Sequence, residues 1–69
     1  MINYPEPGAK YKHYKGGLYE VITLATHTES TEPMVVYKSL LFGSIYVRPL
    51  NVWNEDVADS KEKRFTKLI

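Results

Sequence analysis

Apolar positions along this chain fall in short blocks separated by glycine, proline and small polar residues, a spacing that predicts strands rather than helices. Lys10 to Tyr14 alternates, with Lys10, Lys12 and Tyr14 on one face and Tyr11 and His13 on the other. Gly16-Gly17 then supplies a tight turn, because glycine takes positive φ at little steric cost. Leu18 to Thr26 reads as a strand, with Val21, Ile22 and Thr23 all β-branched. Strict alternation puts Tyr19, Val21 and Ala25 on one face and Leu18, Ile22 and Leu24 on the other. A strand apolar on both sides is central, or is covered on its second face by a tail or a partner.

His27 to Pro33 is polar and ends in proline, which marks a loop. Met34 to Phe42 follows as a long strand, Gly43-Ser44 as a second tight turn, and Ile45 to Arg48 as a short returning strand that Pro49 ends. Leu50 to Val57 fits one irregular or 3₁₀ turn with Leu50, Trp53 and Val57 facing inward. Asp59 to Lys63 is charged and loop-like. Arg64 to Ile69 reads as a closing strand with Phe65 inward. Residues 1–9, with Pro5, Pro7 and Gly8, form an irregular N-terminal arm for which Tyr4 is a candidate anchor. The fold expected for residues 10–69 is a single all-β domain, a small five-stranded SH3-like barrel with at most one short 3₁₀ or helical turn. So short a meander has to curl on itself to enclose a core.

Composition sharpens this picture. At 69 residues the chain has room for one domain, and with no cysteine it has neither disulfides nor a thiolate metal site to support it. Aromatic residues make up 13% of the chain, and each buried ring removes roughly 150–250 Å² from water, so aromatic packing must carry the stability. The net charge of +1 is low for a domain that binds nucleic acid mainly by electrostatics. No apolar run approaches the ~20 residues that span a bilayer. The N-terminal residues lack the charged start and apolar centre of a signal peptide. A cytoplasmic protein without membrane association is therefore expected, as a monomer or weak homodimer.

Several spacings carry a family resemblance. They are Tyr11, His13, Tyr14, Lys15, Gly16 and Tyr19; His27, Glu29 and Glu32; Val35, Val36, Tyr37 and Leu40; Val47-Arg48-Pro49-Leu50; and an aromatic, Trp53, before Glu55-Asp56. Over residues 10–57 the chain resembles a family of small bacterial proteins known only as a domain of unknown function. Tyr46 stands where that pattern has tryptophan, and Trp53 where it has phenylalanine; both keep an aromatic ring. The resemblance implies an SH3-like barrel and implies no reaction.

Two groups of residues carry chemistry. His27, Glu29 and Glu32, with His13 elsewhere, could hold a divalent cation or act as an acid–base pair. The alternative is a loop of local side-chain to backbone bonds with solvated acids, and the sequence favours it about four to one. The second group is aromatic and basic: Tyr11, Lys12, His13, Tyr14, Lys15 and Tyr19, joined by Tyr37, Tyr46, Arg48 and Trp53. Exposed tyrosines beside cations grip peptides or stack bases, whereas buried ones fill the core. Arg48 is expected to pair with Glu29 or Glu32. The functional expectation is a non-catalytic module, without cofactor or metal, that binds a peptide, protein or small polar ligand through an aromatic groove. Binding of RNA or single-stranded nucleic acid through Tyr, His and Lys side chains is the alternative, and a small hydrolase-type or metal site around His27, Glu29 and Glu32 is the third.

Overall fold

The five expected strands all form: β1 (Lys10–His13), β2 (Leu18–Thr26), β3 (Pro33–Ser39), β4 (Ile45–Pro49) and β5 (Phe65–Lys67), with one short helix, α1 (Leu50–Trp53), between β4 and β5. This computed structural model describes residues 4–55 and 64–68. The strands make one antiparallel sheet in the order β4-β3-β2-β1-β5. The sheet is not closed: β4 and β5 are its two edges, and no ladder joins them. Gly16, with φ of +105°, makes the first turn as expected, and the His13 carbonyl accepts its N–H.

Three departures from expectation have a local reason. β2 carries a bulge between Val21 and Thr23. A single extra residue exchanges the faces beyond it. Leu24 therefore packs against the core beside Tyr19 and Val21, and Ala25 is exposed. β3 ends at Ser39 instead of continuing through Phe42. The Ser39 hydroxyl accepts the Phe42 N–H at 3.0 Å and its carbonyl accepts that of Gly43, which folds Leu40-Leu41-Phe42 into the turn. Leu41 and Phe42 are left 77% and 79% exposed. In the arm, Pro5 is the buried residue and Tyr4 is exposed; Gly8 and Ala9 extend the pairing through bonds to the Val21 carbonyl and N–H.

The core is Tyr11, Val21, Val35, Tyr37, Leu50, Trp53 and Phe65, with Ala9, Tyr19 and Leu24 packed around it. Leu50 and Trp53, three apart on α1, both turn onto the concave face of the sheet, as their spacing predicts. Val57 and the charged loop 59–63 lie outside the described residues. The opposite face of the sheet is solvated. There Lys10 pairs across β1 and β2 with Glu20 at 3.8 Å, an exposed contact worth at most about 1 kcal/mol. No helix among the described residues is long and apolar enough to cross a membrane.

Candidate functional site

Where a barrel would close, side chains meet instead of backbone. Phe65 at the start of β5 stacks on Trp53 with centroids 3.8 Å apart and planes 8° from parallel. Arg48 of β4 lies over the same ring, its guanidinium carbon 5.3 Å from the centroid. Trp53 and Arg48 thus both pack on the Phe65 ring. The Arg48 Nε donates to the Tyr37 hydroxyl at 3.2 Å. Tyr37 and Tyr46 are opposite each other across β3 and β4, and Tyr19 meets Tyr37, Tyr46 and Phe65 edge-on at 5.5–6.3 Å. His13 completes the wall 4.9 Å from Phe65. The result is an aromatic cluster along the seam between the two sheet edges, whose outer surface is called the cleft below. Tyr46, 43% exposed, forms its outer lip.

The charges that act on His13 are positive. His13 titrates below its ordinary value of 6.5, first because burial disfavours its charged form, then because Arg48, Arg64 and Lys15 repel a proton. These cations come from β4, the residue before β5, and the β1–β2 turn. The Tyr14 ring lies between two of them, 5.7 Å from the Lys15 Nζ and 5.9 Å from the Arg64 guanidinium carbon. Arg64 uses one terminal nitrogen on Glu55 at 3.4 Å, while its Nε is buried with no acceptor among the described residues. The His13 Nδ1 accepts the Lys15 N–H at 3.2 Å, which also favours the neutral form of the ring.

The sign of the resulting pH dependence follows. Below about pH 6.5 the unfolded chain takes up a proton at position 13 that the folded chain refuses, so stability drops as the pH is lowered and levels off below the folded value. Thermal unfolding between pH 7.5 and 5.5 is expected to show this slope. In His13→Asn, which keeps an acceptor for the Lys15 N–H, the slope should flatten. An unchanged slope, or a His13 ring-proton titration at or above the ordinary value, would contradict the geometry.

Gly17 fixes how tightly the cleft is packed. A Cβ there would lie 2.8 Å from the Tyr19 ring, and that ring is held by Tyr37, Tyr46, His13 and Phe65. Gly17→Ala is expected to push Tyr19 toward Tyr46 and cost about 1–3 kcal/mol, the usual range for overpacking. Urea denaturation measures the cost, and the ring-proton shifts of Tyr46 and His13 report the displacement.

The candidate residues fall in different places. His13, Tyr14, Lys15, Tyr19, Tyr37 and Arg48 converge on the cleft. Tyr11 and Trp53 are core, in edge contact at 5.1 Å, and Lys12 is exposed on the opposite face of the sheet. His27, Glu29 and Glu32 sit in the β2–β3 loop. There the His27 Nδ1 accepts the N–H groups of Glu29 and Ser30 at 3.1 and 3.3 Å, and Thr31 takes φ of +60°. The described residues contain no group of three or more His, Asp or Glu side chains placed to hold a metal. The expected pairing of Arg48 with Glu29 or Glu32 does not form among the described residues, because Arg48 turns inward onto Tyr37 and Phe65. Arg64 and Phe65 are the cleft residues that the sequence reading left out. The alternation that places Phe65 inward, with a cation just before it, was the available signal.

A small, mostly β domain built on one curled antiparallel sheet with an aromatic core is the class that this geometry defines. The chain belongs to the family described as Protein of unknown function (DUF1653), whose model matches residues 9–67. A crystal structure of a protein of that family from Bordetella bronchiseptica is similar at 33% identity with a TM-score of 0.78, covering 99% of this chain and 92% of that one. Among curated proteins no match is found.

Proposed function

We propose that this domain is a non-catalytic binding module whose recognition surface is the aromatic cleft at the seam, and that its ligand is the anionic group of a peptide, protein or small molecule. One observation carries the reading: Arg48 bonds Tyr37 and lies over Phe65, and Lys15 and Arg64 lie against Tyr14 beside it, so three cations border the cluster of rings. Cations set among rings in a partly dry groove attract an anion more strongly than the same charges in water. In fold terms the domain reads as an SH3-like barrel left open along that seam, supported by the Arg48–Phe65 contact between its two edges. Single-stranded RNA is the second reading, favoured by the exposed Tyr46 ring near Arg48.

Titration of the labelled chain with inorganic phosphate tests the first reading. An anion in the cleft offsets the cations, so the His13 titration is expected to move upward, and the amides of Lys15, Tyr46 and Arg48 to shift. Arg48→Met should abolish both responses. Shifts confined to residues 27–32, or a response indifferent to Arg48, would count against the cleft.

A further inference from the structure

The two edges of the open sheet are not equivalent. β5 is three residues long and carries Lys67, two features that blunt a sheet edge against pairing. β4 is longer, its Pro49 lies at the very end and its charged residue, Arg48, is on the inner face. Its register with β3 runs without a bulge from Lys38–Ile45 to Met34–Pro49. Ser39 donates to the Ser44 carbonyl, so Ser44, Tyr46 and Arg48 exchange bonds with β3. By the same alternation Ile45 and Val47 turn their N–H and C=O groups to the open edge. Their side chains lie on the outer face, 56% and 57% exposed, and no charged side chain of β4 accompanies them there. On the inner face the same strand presents Tyr46 and Arg48 to the cleft. Among the described residues Arg48 donates a hydrogen bond from its Nε alone, and its terminal N–H groups make no hydrogen bond or ion pair.

We propose that β4 is a docking edge for an extended acidic peptide, which adds to the sheet as a sixth strand. Main-chain bonds form to Ile45 and Val47, and alternate side chains of the peptide fall on the two faces. Those on the outer face pack against Ile45 and Val47, which suits β-branched residues. Those on the inner face meet Arg48, with Lys15 and Arg64 adding to the field, which suits carboxylates. Charge decides between occupants. A second copy pairing through its own β4 would bring a second Arg48 to the same inner face, whereas an acidic strand complements it. The carboxylate preference rests on the anionic-ligand reading of the cleft; the main-chain pairing does not.

Hydrogen exchange on the intact labelled chain tests this. The probe is a capped heptapeptide, Thr-Val-Glu-Val-Glu-Val-Thr, and its control has lysine in place of both glutamates. With the glutamate peptide the Ile45 and Val47 amides are expected to slow at least about tenfold, the equivalent of one net hydrogen bond each. Tyr46 and Arg48, already bonded to β3, should change little. Arg48→Glu is expected to reverse the preference between the two peptides. Equal protection by both peptides would overturn the acidic assignment. Slowing that grows with protein concentration and needs no peptide would assign the edge to a second copy instead. Oligouridine that shifts Tyr19 and Tyr46 while neither peptide protects Ile45 or Val47 would overturn strand addition in favour of nucleic acid. An upward move of the His13 titration with phosphate, again without protection at 45 and 47, would overturn strand addition and leave the anionic cleft standing.

Discussion

Replacing Trp53 by alanine is expected to leave the chain largely unfolded at room temperature. The indole is 3% exposed, stacks on Phe65 at 3.8 Å, and takes edge contacts from Tyr11 at 5.1 Å and Tyr37 at 5.0 Å. Removing a buried aromatic of this size costs about 3–5 kcal/mol. A chain of 69 residues has about 3–10 kcal/mol of total stability. With no disulfide in reserve, the loss takes from about a third to all of that. Far-ultraviolet circular dichroism against urea measures it; a two-state transition with an unchanged midpoint would show that the sheet holds without its indole. Trp53→Phe, which keeps a ring against Phe65, should cost much less.

Phe65→Ala has the second largest expected effect, and it joins stability to the cleft. Phe65 packs against both Trp53 and the Arg48 guanidinium and forms an edge contact with His13. Its loss should cost about 3–4 kcal/mol in denaturation. Because the Trp53–Phe65 contact is removed by either change, the double variant should lose less than the sum of the two. In whatever fraction stays folded, the His13 titration should move upward, since burial is the first cause of its depression. A His13 titration that stayed in place would mean that Phe65 does not wall the cleft.

These consequences were only partly legible in the sequence. The Gly16-Gly17 turn, the strand from Leu18 to Thr26, the inward Phe65 and the helical turn at Leu50 and Trp53 each rest on a local signal: glycine, β-branching, alternation or i,i+3 spacing. The bulge in β2 has no such signal, since Val21, Ile22 and Thr23 are equally good strand residues, and so Leu24 was placed on the wrong face. Leu40-Leu41-Phe42 looks like strand by hydrophobicity alone. A serine hydroxyl turns it into a bend, and that capping is visible only once the chain is folded. Closure was inferred from the need to bury a core. The chain meets that need with side chains, since Trp53, Phe65 and Arg48 pack together on the inner side of the gap between β4 and β5. His27 resembles a ligand when read beside Glu29 and Glu32, yet its Nδ1 binds its own loop. Arg48 has acids nearby in the sequence pattern, Glu29 and Glu32, yet Tyr37 and Phe65, rings distant in sequence, hold it.

The order of the ladder also dictates when the cleft can exist. The pairings of β1 with β2, β2 with β3, and β3 with β4 are hairpins that join neighbours in the chain, but β5 pairs with β1 across 52 to 56 positions, from His13–Phe65 to Tyr11–Lys67. Closing a segment of that length costs about 3–4 kcal/mol of chain entropy before any contact repays it. The four-strand meander can therefore form early, with β5 docking last. Phe65 and Arg64 arrive with that final strand. A partly folded chain would carry Tyr19, Tyr46 and Arg48 but no floor beneath them. The cleft is thus a property of the completed fold, so ligand affinity and global stability should rise and fall together.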